Sequence, residues 1–256
     1  MRILVLAALL SGGVSTAALA QDADVGVSSW TGPYVGVHGG YGFDHGRQVT
    51  NTGQTANNAL ALSAGIRPNS FSTSRKGILG GAQIGYNFAS DAALIGIEAD
   101  FSKLDSKDDD TYRSPAQVLT FPAGRRANVR HELDWMGTVR ARAGFVMNNT
   151  ILYGTGGYAY GRVKDRAEFD GDTDAVVNYA GRSKYTPDGW TAGGGIEHKF
   201  GGTGMLGGAS VRVEYLYYDL GHHTTVATQQ NTPPGQYAVN FNTQGSVVRA
   251  GINFVF

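Results

Sequence analysis

The sequence contains no cysteine, which excludes a disulfide-stapled scaffold and any zinc or iron–sulfur centre built on thiolates. It has no surplus charge of either sign: 21 Lys and Arg balance 21 Asp and Glu, a formal net charge of +0. A nucleic-acid partner is therefore excluded as an expectation, because such binding draws on a basic excess. No uninterrupted apolar run reaches the roughly 18 residues of a membrane-spanning helix, and helical 3.6-residue periodicity is nearly absent. Glycine, in contrast, is abundant: 38 of 256 residues. That is roughly twice the usual share, and its spacing is too irregular for collagen.

The N-terminus has the layout of an export signal. Met1 and Arg2 precede an apolar run from Ile3 to Leu10, which Ser11-Gly12-Gly13 and Ser15-Thr16 interrupt. Ala18-Leu19-Ala20 then forms a small-x-small cleavage site before Gln21. Residues 1–20 are accordingly read as a signal peptide, 21–29 as a short periplasmic lead and 30–256 as one domain.

Within that domain the recurring pattern is period-two alternation over about ten residues, the pattern of half-buried strands. It predicts eight strands, at Tyr34–Phe43, Ile78–Phe88, Ala93–Phe101, Leu133–Val146, Ile151–Tyr160, Trp190–Phe200, Val211–Leu220 and Val247–Phe256. In the last, Val248, Ala250, Ile252, Phe254 and Phe256 share one face, while Arg249, Gly251 and Asn253 share the other. In the fourth, Leu133, Trp135, Val139, Ala141, Ala143 and Phe145 oppose Asp134, Thr138, Arg140, Arg142 and Gly144.

Alternation alone fits a soluble sandwich equally well; the connections separate the two folds. Residues 45–75, 103–130, 161–187 and 221–245 are long and polar, and between them fall short links at 89–92, 147–149 and 201–209. Structureless connections of that length are uncommon in compact soluble domains. Outer-membrane barrels have short periplasmic turns and long outside loops. Reading strands alternately up and down, Tyr34, Phe88, Phe145, Phe200 and Phe256 fall at the short-turn end. Phe43, Phe101, Trp135, Tyr160, Trp190 and Tyr217 fall at the long-loop end, giving two interfacial aromatic levels. The predicted fold is all-β: an eight-stranded antiparallel transmembrane β-barrel with four long extracellular loops.

The same parity turns Glu98, Asp100, Arg140, Arg142, Glu197, Arg212, Glu214 and Arg249 into the lumen. A barrel of eight strands is only wide enough for side chains to fill it, and buried charges must be paired. Strand adjacency suggests Glu98 with Arg140 or Arg142, Glu197 with Arg212, and Glu214 with Arg249. Such a set is either an ion path or a closed polar core, and the closed core is the expectation. Gly36, Gly81, Gly144 and Gly195 would make room for the long side chains.

Seven blocks carry a family resemblance: Trp30-Thr31-Gly32-Pro33-Tyr34-Val35-Gly36, Gly80 to Asn87, Gly96 to Asp100, Trp135 to Gly144, Tyr153 to Ala159, Gly193 to Glu197 and Arg212 to Gly221, closed by Phe256. In this order they resemble the porin-like outer-membrane immunogenic proteins of Gram-negative bacteria, related to opacity proteins and the OmpA-type membrane barrel. The resemblance spans all eight strands and leaves the loops uncovered. It implies an integral surface antigen of the outer membrane, surrounded by outer-membrane lipid and lipopolysaccharide. It also implies that the C-terminal aromatic, Phe256, is the assembly signal read by the barrel-insertion machinery.

Other motifs point nowhere specific. Gly36-Val37-His38-Gly39-Gly40 and Gly154-Thr155-Gly156-Gly157 lack the helix that a phosphate-cradling loop requires. Asp105 with Asp108-Asp109-Asp110 lacks EF-hand spacing. His222-His223, even with His45, shows no further metal ligand, and His131-Glu132 lacks the second histidine of a zinc protease. His38 faces the lumen with no identifiable serine and acid partner. No enzyme activity, metal or cofactor is therefore expected. The expected role is envelope-structural and antigenic, with a closed lumen and a host or small-molecule ligand meeting the loops. The alternatives are a narrow porin for small solutes and a hemin-binding or adhesive protein acting through the loops.

Overall fold

The computed structural model describes residues 30–44, 47–73, 76–90, 92–107, 109–113, 126–170, 177–200, 208–230 and 235–256. The expected signal peptide and lead, together with His45 and Asp108, lie outside these residues. Among the described residues there are twelve strands and one helix: β1 Gly32–Phe43, β2 Arg47–Gly53, α1 Ala56–Ser63, β3 Ser70–Thr73, β4 Lys76–Ser90, β5 Ala93–Lys107, β6 Asp109–Arg113, β7 Arg126–Met147, β8 Thr150–Asp170, β9 Val177–Tyr185, β10 Asp188–Lys199, β11 Ala209–Gln229 and β12 Gln236–Val255.

Eight of them form a ring. Strands β1, β4, β5, β7, β8, β10, β11 and β12 pair antiparallel, each with the next in this order. The last then returns to the first, with Tyr34 opposite Val255 and Phe43 opposite Ser246. Closure removes the sheet edges whose unpaired N–H and C=O groups a bilayer could not satisfy. Each of the eight predicted strands lies on one member of the ring.

Their lengths differ from expectation. The strands expected at Leu133–Val146 and Ile151–Tyr160 run on as β7 and β8, 22 and 21 residues long. Residues 126–132, 161–170, 221–229 and 236–245, expected as loop, thus carry the barrel wall past the long-loop aromatic level. The first long connection holds β2, α1 and β3, and β6 and β9 lie in the second and third. The cause is visible side by side. On the inner face Ala127, Val129, Ala167, Phe169, Tyr237, Val239 and Phe241 stay apolar and buried. On the outer face Arg130, Glu132, Lys164 and Arg166 are charged, so average polarity hides the alternation.

The parity expected for β7 also fails at its outer end. The pairing with β8 slips between Leu133 and Trp135, a β-bulge that adds one residue and switches the face. Above it Val129, His131 and Leu133 point inward; below it Met136, Thr138, Arg140 and Arg142 do. Leu133 is therefore interior, and Asp134 is exterior, held by Lys103 and by Lys164 at 3.2 Å.

The interior is layered along the barrel axis. At the short-turn end Trp30, Ala89, Leu94, Val146, Ile151 and Tyr153 form an apolar plug. A charged layer follows. Leu79, Leu104, Leu133, Met136, Leu216, Tyr218, Leu220 and Val247 belong to a second apolar layer. At the long-loop end Val129, Phe169, Tyr237, Val239 and Phe241 form one apolar cluster with Leu62 of α1. Helix α1 is fixed there. Thr55 caps its N-terminus, and Asn58 Nδ2 donates to the Gln236 carbonyl at 2.9 Å. Just beyond the helix, buried Arg67 donates to the carbonyls of Arg126 and Asp170, with its guanidinium 5.5 Å from the Phe169 ring centre.

Candidate functional site

All eight charged residues expected in the lumen are buried there, and the four arginines all reach one carboxylate, Glu98. Glu98 contacts Arg140 and Arg212 directly, approaches Arg249 at 3.5 Å and Arg142 at 3.8 Å, and accepts from the Tyr34 hydroxyl at 2.6 Å. Asp100 accepts from Arg140 at 3.0 Å, from Arg249 at 3.2 Å and from Thr138 at 2.5 Å. Glu214 accepts from Arg140 at 3.1 Å, Tyr153 at 3.0 Å and Arg249 at 2.7 Å. Four carboxylates and four guanidiniums make a layer of no net formal charge. Each buried ion thus has an opposite partner, while Arg212 Nε and Nη2 and Arg142 Nε make no hydrogen bond.

One of the pairs expected from strand adjacency is replaced. Glu197 stands opposite Arg212 in the backbone register. Its guanidinium partner is nevertheless Arg142, at 2.8 Å, while Arg212 reaches across to Glu98. Inward side chains of a narrow barrel converge on its axis, so long ones meet across the lumen as readily as along the wall. Arg142 is held in place by two rings, 4.1 Å from the Tyr153 centroid and 5.7 Å from that of Tyr34. Ser210 and Asn253 complete Glu197, donating at 2.5 and 2.7 Å.

Tyr34 was expected in the short-turn aromatic level and is instead lumenal, 1% exposed. Its parity with Gly36 and His38 is the signal that places it inside. His38 was expected to lack a serine partner, yet Ser102 Oγ lies 2.8 Å from its Nε2. Gln83 donates to Asn253 at 2.7 Å, so its oxygen accepts from His38 Nδ1 at 2.5 Å. A glutamine thus stands where a hydrolase would need its acid, and Arg249 Nη1 sits 3.4 Å from the same ring. Glycine is required beside this group: a Cβ on Gly81 would come 2.1 Å from the Phe101 carbonyl oxygen and 2.6 Å from His38 Nε2.

A second, smaller polar set lies nearer the long-loop end. His131 bonds Asp165, approaches Thr243 Oγ1 at 3.3 Å and stacks on Phe241. Of the histidine pair, His222 is exposed, whereas His223 packs on Tyr185 with ring centres 3.9 Å apart. Asp105 is exposed. Among the described residues no group of three or more His, Cys, Asp or Glu side chains could hold a metal ion.

Outside, the wall is apolar between two aromatic levels. Phe88, Phe145, Phe200 and Phe256 are exposed at the short-turn end. Phe101 and Trp190 are exposed at the other, with Phe43, Trp135, Tyr160 and Tyr217 partly covered. The upper level is a chain of ring contacts across neighbouring strands: Phe101 to Trp135 at 5.4 Å, Trp135 to Tyr160 at 5.8 Å, and Trp190 to Tyr217 at 5.4 Å. Ile84, Ile95, Ile97, Val139, Leu152, Ile196, Val213 and Ile252 are exposed between the levels. No helix among the described residues is long and apolar enough to cross a membrane; strands make the crossing.

A closed antiparallel ring, apolar outside between aromatic levels and with a charged layer buried inside, defines an outer-membrane β-barrel. The chain belongs to the outer membrane protein beta-barrel domain family, whose model matches residues 5–254. It is 29% identical over 270 residues to the 31 kDa outer-membrane immunogenic protein of Brucella melitensis biotype 1, covering 98% of this chain and 99% of that one. A 25 kDa outer-membrane immunogenic protein of Brucella canis is 28% identical, covering 80% and 75%. In fold the chain is similar to the outer membrane protein OprG from Pseudomonas aeruginosa. There the TM-score is 0.50 at 13% identity, over 88% of this chain and 97% of that one. The protein is located in the outer membrane.

Proposed function

We propose that this protein is a non-conducting structural barrel and surface antigen, its long-loop end outside the cell and its lumen sealed. The observation that carries this reading is the sequence of layers along the axis: an apolar plug, a neutral net of Arg and Glu side chains, and two further apolar layers under α1. An ion crossing the lumen would have to shed its water against three successive dry layers, at a cost that no lone charge in an apolar interior recovers. The narrow porin is disfavoured by the same layers. A ligand would meet the outer surface or the segments above it, which is how the relatives' immunogenic character is carried over to this chain. The N-terminal 20 residues would serve export and be removed, and residues 21–29 would remain as a periplasmic lead. Single-channel recording of the refolded monomer in a planar bilayer tests the reading: the expected trace is flat, and stable large conductance steps would overturn it.

A further inference from the structure

Just above the upper aromatic level, the outward face of β7, β8 and β9 carries a cluster of cations that neither the lumen nor the apolar band uses. At its foot the Arg162 guanidinium lies 5.4 Å from the Trp135 ring centre, and Lys103 and Lys164 both hold Asp134. On the next rung Glu132, Lys164 and Lys184 stand side by side across three strands. On the rung above, three arginines do: Arg130 opposite Arg166, and Arg166 opposite Arg182. A groove of about 350 Å³ runs between these six side chains.

Three carboxylates answer the five cations of those rungs, and one of them, Asp134, divides itself between Lys164 at 3.2 Å and Lys103 below. Glu132 takes Arg130 at 2.8 Å, and Glu168 takes Arg166 at 2.5 Å while reaching Arg182 at 3.7 Å. Like charges placed directly opposite on neighbouring strands weaken a sheet. Adjacent strands are about 4.8 Å apart, so three guanidinium stems occupy roughly 10 Å of surface. In a chain of +0 formal net charge this is local segregation, not general basicity. Closely spaced guanidiniums and ammoniums suit phosphate oxygens, which arginine engages with two parallel hydrogen bonds.

We propose that this ladder binds the phosphorylated headgroup of an outer-leaflet glycolipid, namely lipopolysaccharide. The patch is continuous with the aromatic level that marks the lipid boundary, and its cations climb from that level away from the bilayer. The inference rests on the orientation proposed above, with the long-loop end outside.

The test uses the full-length barrel refolded in phosphatidylcholine vesicles containing lipopolysaccharide in both leaflets, so that binding is read whatever the orientation in cells. Bound glycolipid per barrel is measured by native mass spectrometry for intact lipopolysaccharide and for the same material with its phosphates removed. Intact lipopolysaccharide should bind about tenfold more tightly, and added salt should reduce the difference. The double variant Arg166→Gln/Arg182→Gln should lose that preference, as should Arg182→Gln/Lys184→Gln, which leaves β7 and β8 untouched. Both should keep the heat-modifiable migration of a folded barrel. Equal binding of the two lipopolysaccharides, or an unchanged preference in both variants, would overturn the proposal. So would displacement by millimolar inorganic pyrophosphate that itself binds as tightly, or loss of heparin binding alone in the variants. Orientation is read separately, by labelling Lys184→Cys on intact cells with a membrane-impermeant thiol reagent.

Discussion

Glu98 sits within ion-pair reach of four arginines contributed by three different strands, so removing any one of them leaves the others to compensate in part. Arg140, like Arg249, serves Glu98, Asp100 and Glu214 together. Replacing it with alanine leaves buried carboxylate charge without its cation and should cost about 3–5 kcal/mol. In heat-modifiability gels the Arg140→Ala barrel should convert to the unfolded form at a clearly lower temperature, and conversion at the wild-type temperature would refute the buried-network account. Gly81→Val should fail more completely. The site has no room for a Cβ beside the Phe101 carbonyl, so the folded band should be absent rather than merely less heat-stable. Tyr34 shows what residue-level reading can miss. Its ring suggested an interfacial aromatic, whereas its two-residue offset from Gly36 already assigned it to the inner face.

The elements differ from expectation mainly at the long-loop end. Strands were legible in the apolar band because there the outward residues are hydrophobic and the inward ones polar or glycine. Above that band the pattern inverts, with charge outside and apolar residues inside, and composition alone makes those segments look like loops. Hydrogen exchange tests the extension. Amides of Val129, Ala167 and Val239 should be protected as strongly as those of Ile97 or Val139, and exchange at loop-like rates would remove the extended wall. The terminal strand β12 pairs with β11 along most of its length, and on its other side with β1 from Ser246 to Val255 and with β2 from Tyr237 to Asn240. Phe256 hangs from its end, exposed, with its N–H donating to Pro33 at 3.0 Å. Deleting Phe256 should therefore leave the refolded barrel's stability within about 0.5 kcal/mol, as for surface changes generally. It should lower the fraction inserted in cells, and an undiminished inserted fraction would rule out the assembly role.

At the scale of the whole molecule, the proposed seal would consist of apolar layers acting in series. A substitution that opens one of them, Trp30→Ala at the short-turn plug for example, leaves the charged layer and two apolar layers above it. Such a barrel should still fail to conduct, although it should unfold more easily, since truncating a buried tryptophan typically costs about 3–5 kcal/mol. Conductance from this single change would mean that the upper layers do not seal. Export is a separate property of the chain: intact mass spectrometry of the outer-membrane form should show Gln21 as its first residue, and any other start would displace the cleavage site read from Ala18-Leu19-Ala20.

Period-two alternation, the order of short and long connections, and the inward parity of eight charged residues were properties of the sequence itself. They follow from local geometry, because a strand sends successive side chains to opposite faces wherever it lies. Three features waited for the closed ring: Glu98 as the hub of the network, the exchange of Arg142 for Arg212 at Glu197, and the Ser102 beside His38. The first two depend on which long side chains meet inside the lumen, and the third on strand register, which sets His38 and Ser102 on either side of Gly81. The bulge at Leu133–Trp135 likewise emerged only from pairing with β8, since one extra residue is invisible until a partner strand counts it. The arginine rung of Arg130, Arg166 and Arg182 was equally hidden, its members being scattered over 53 positions until register aligned them.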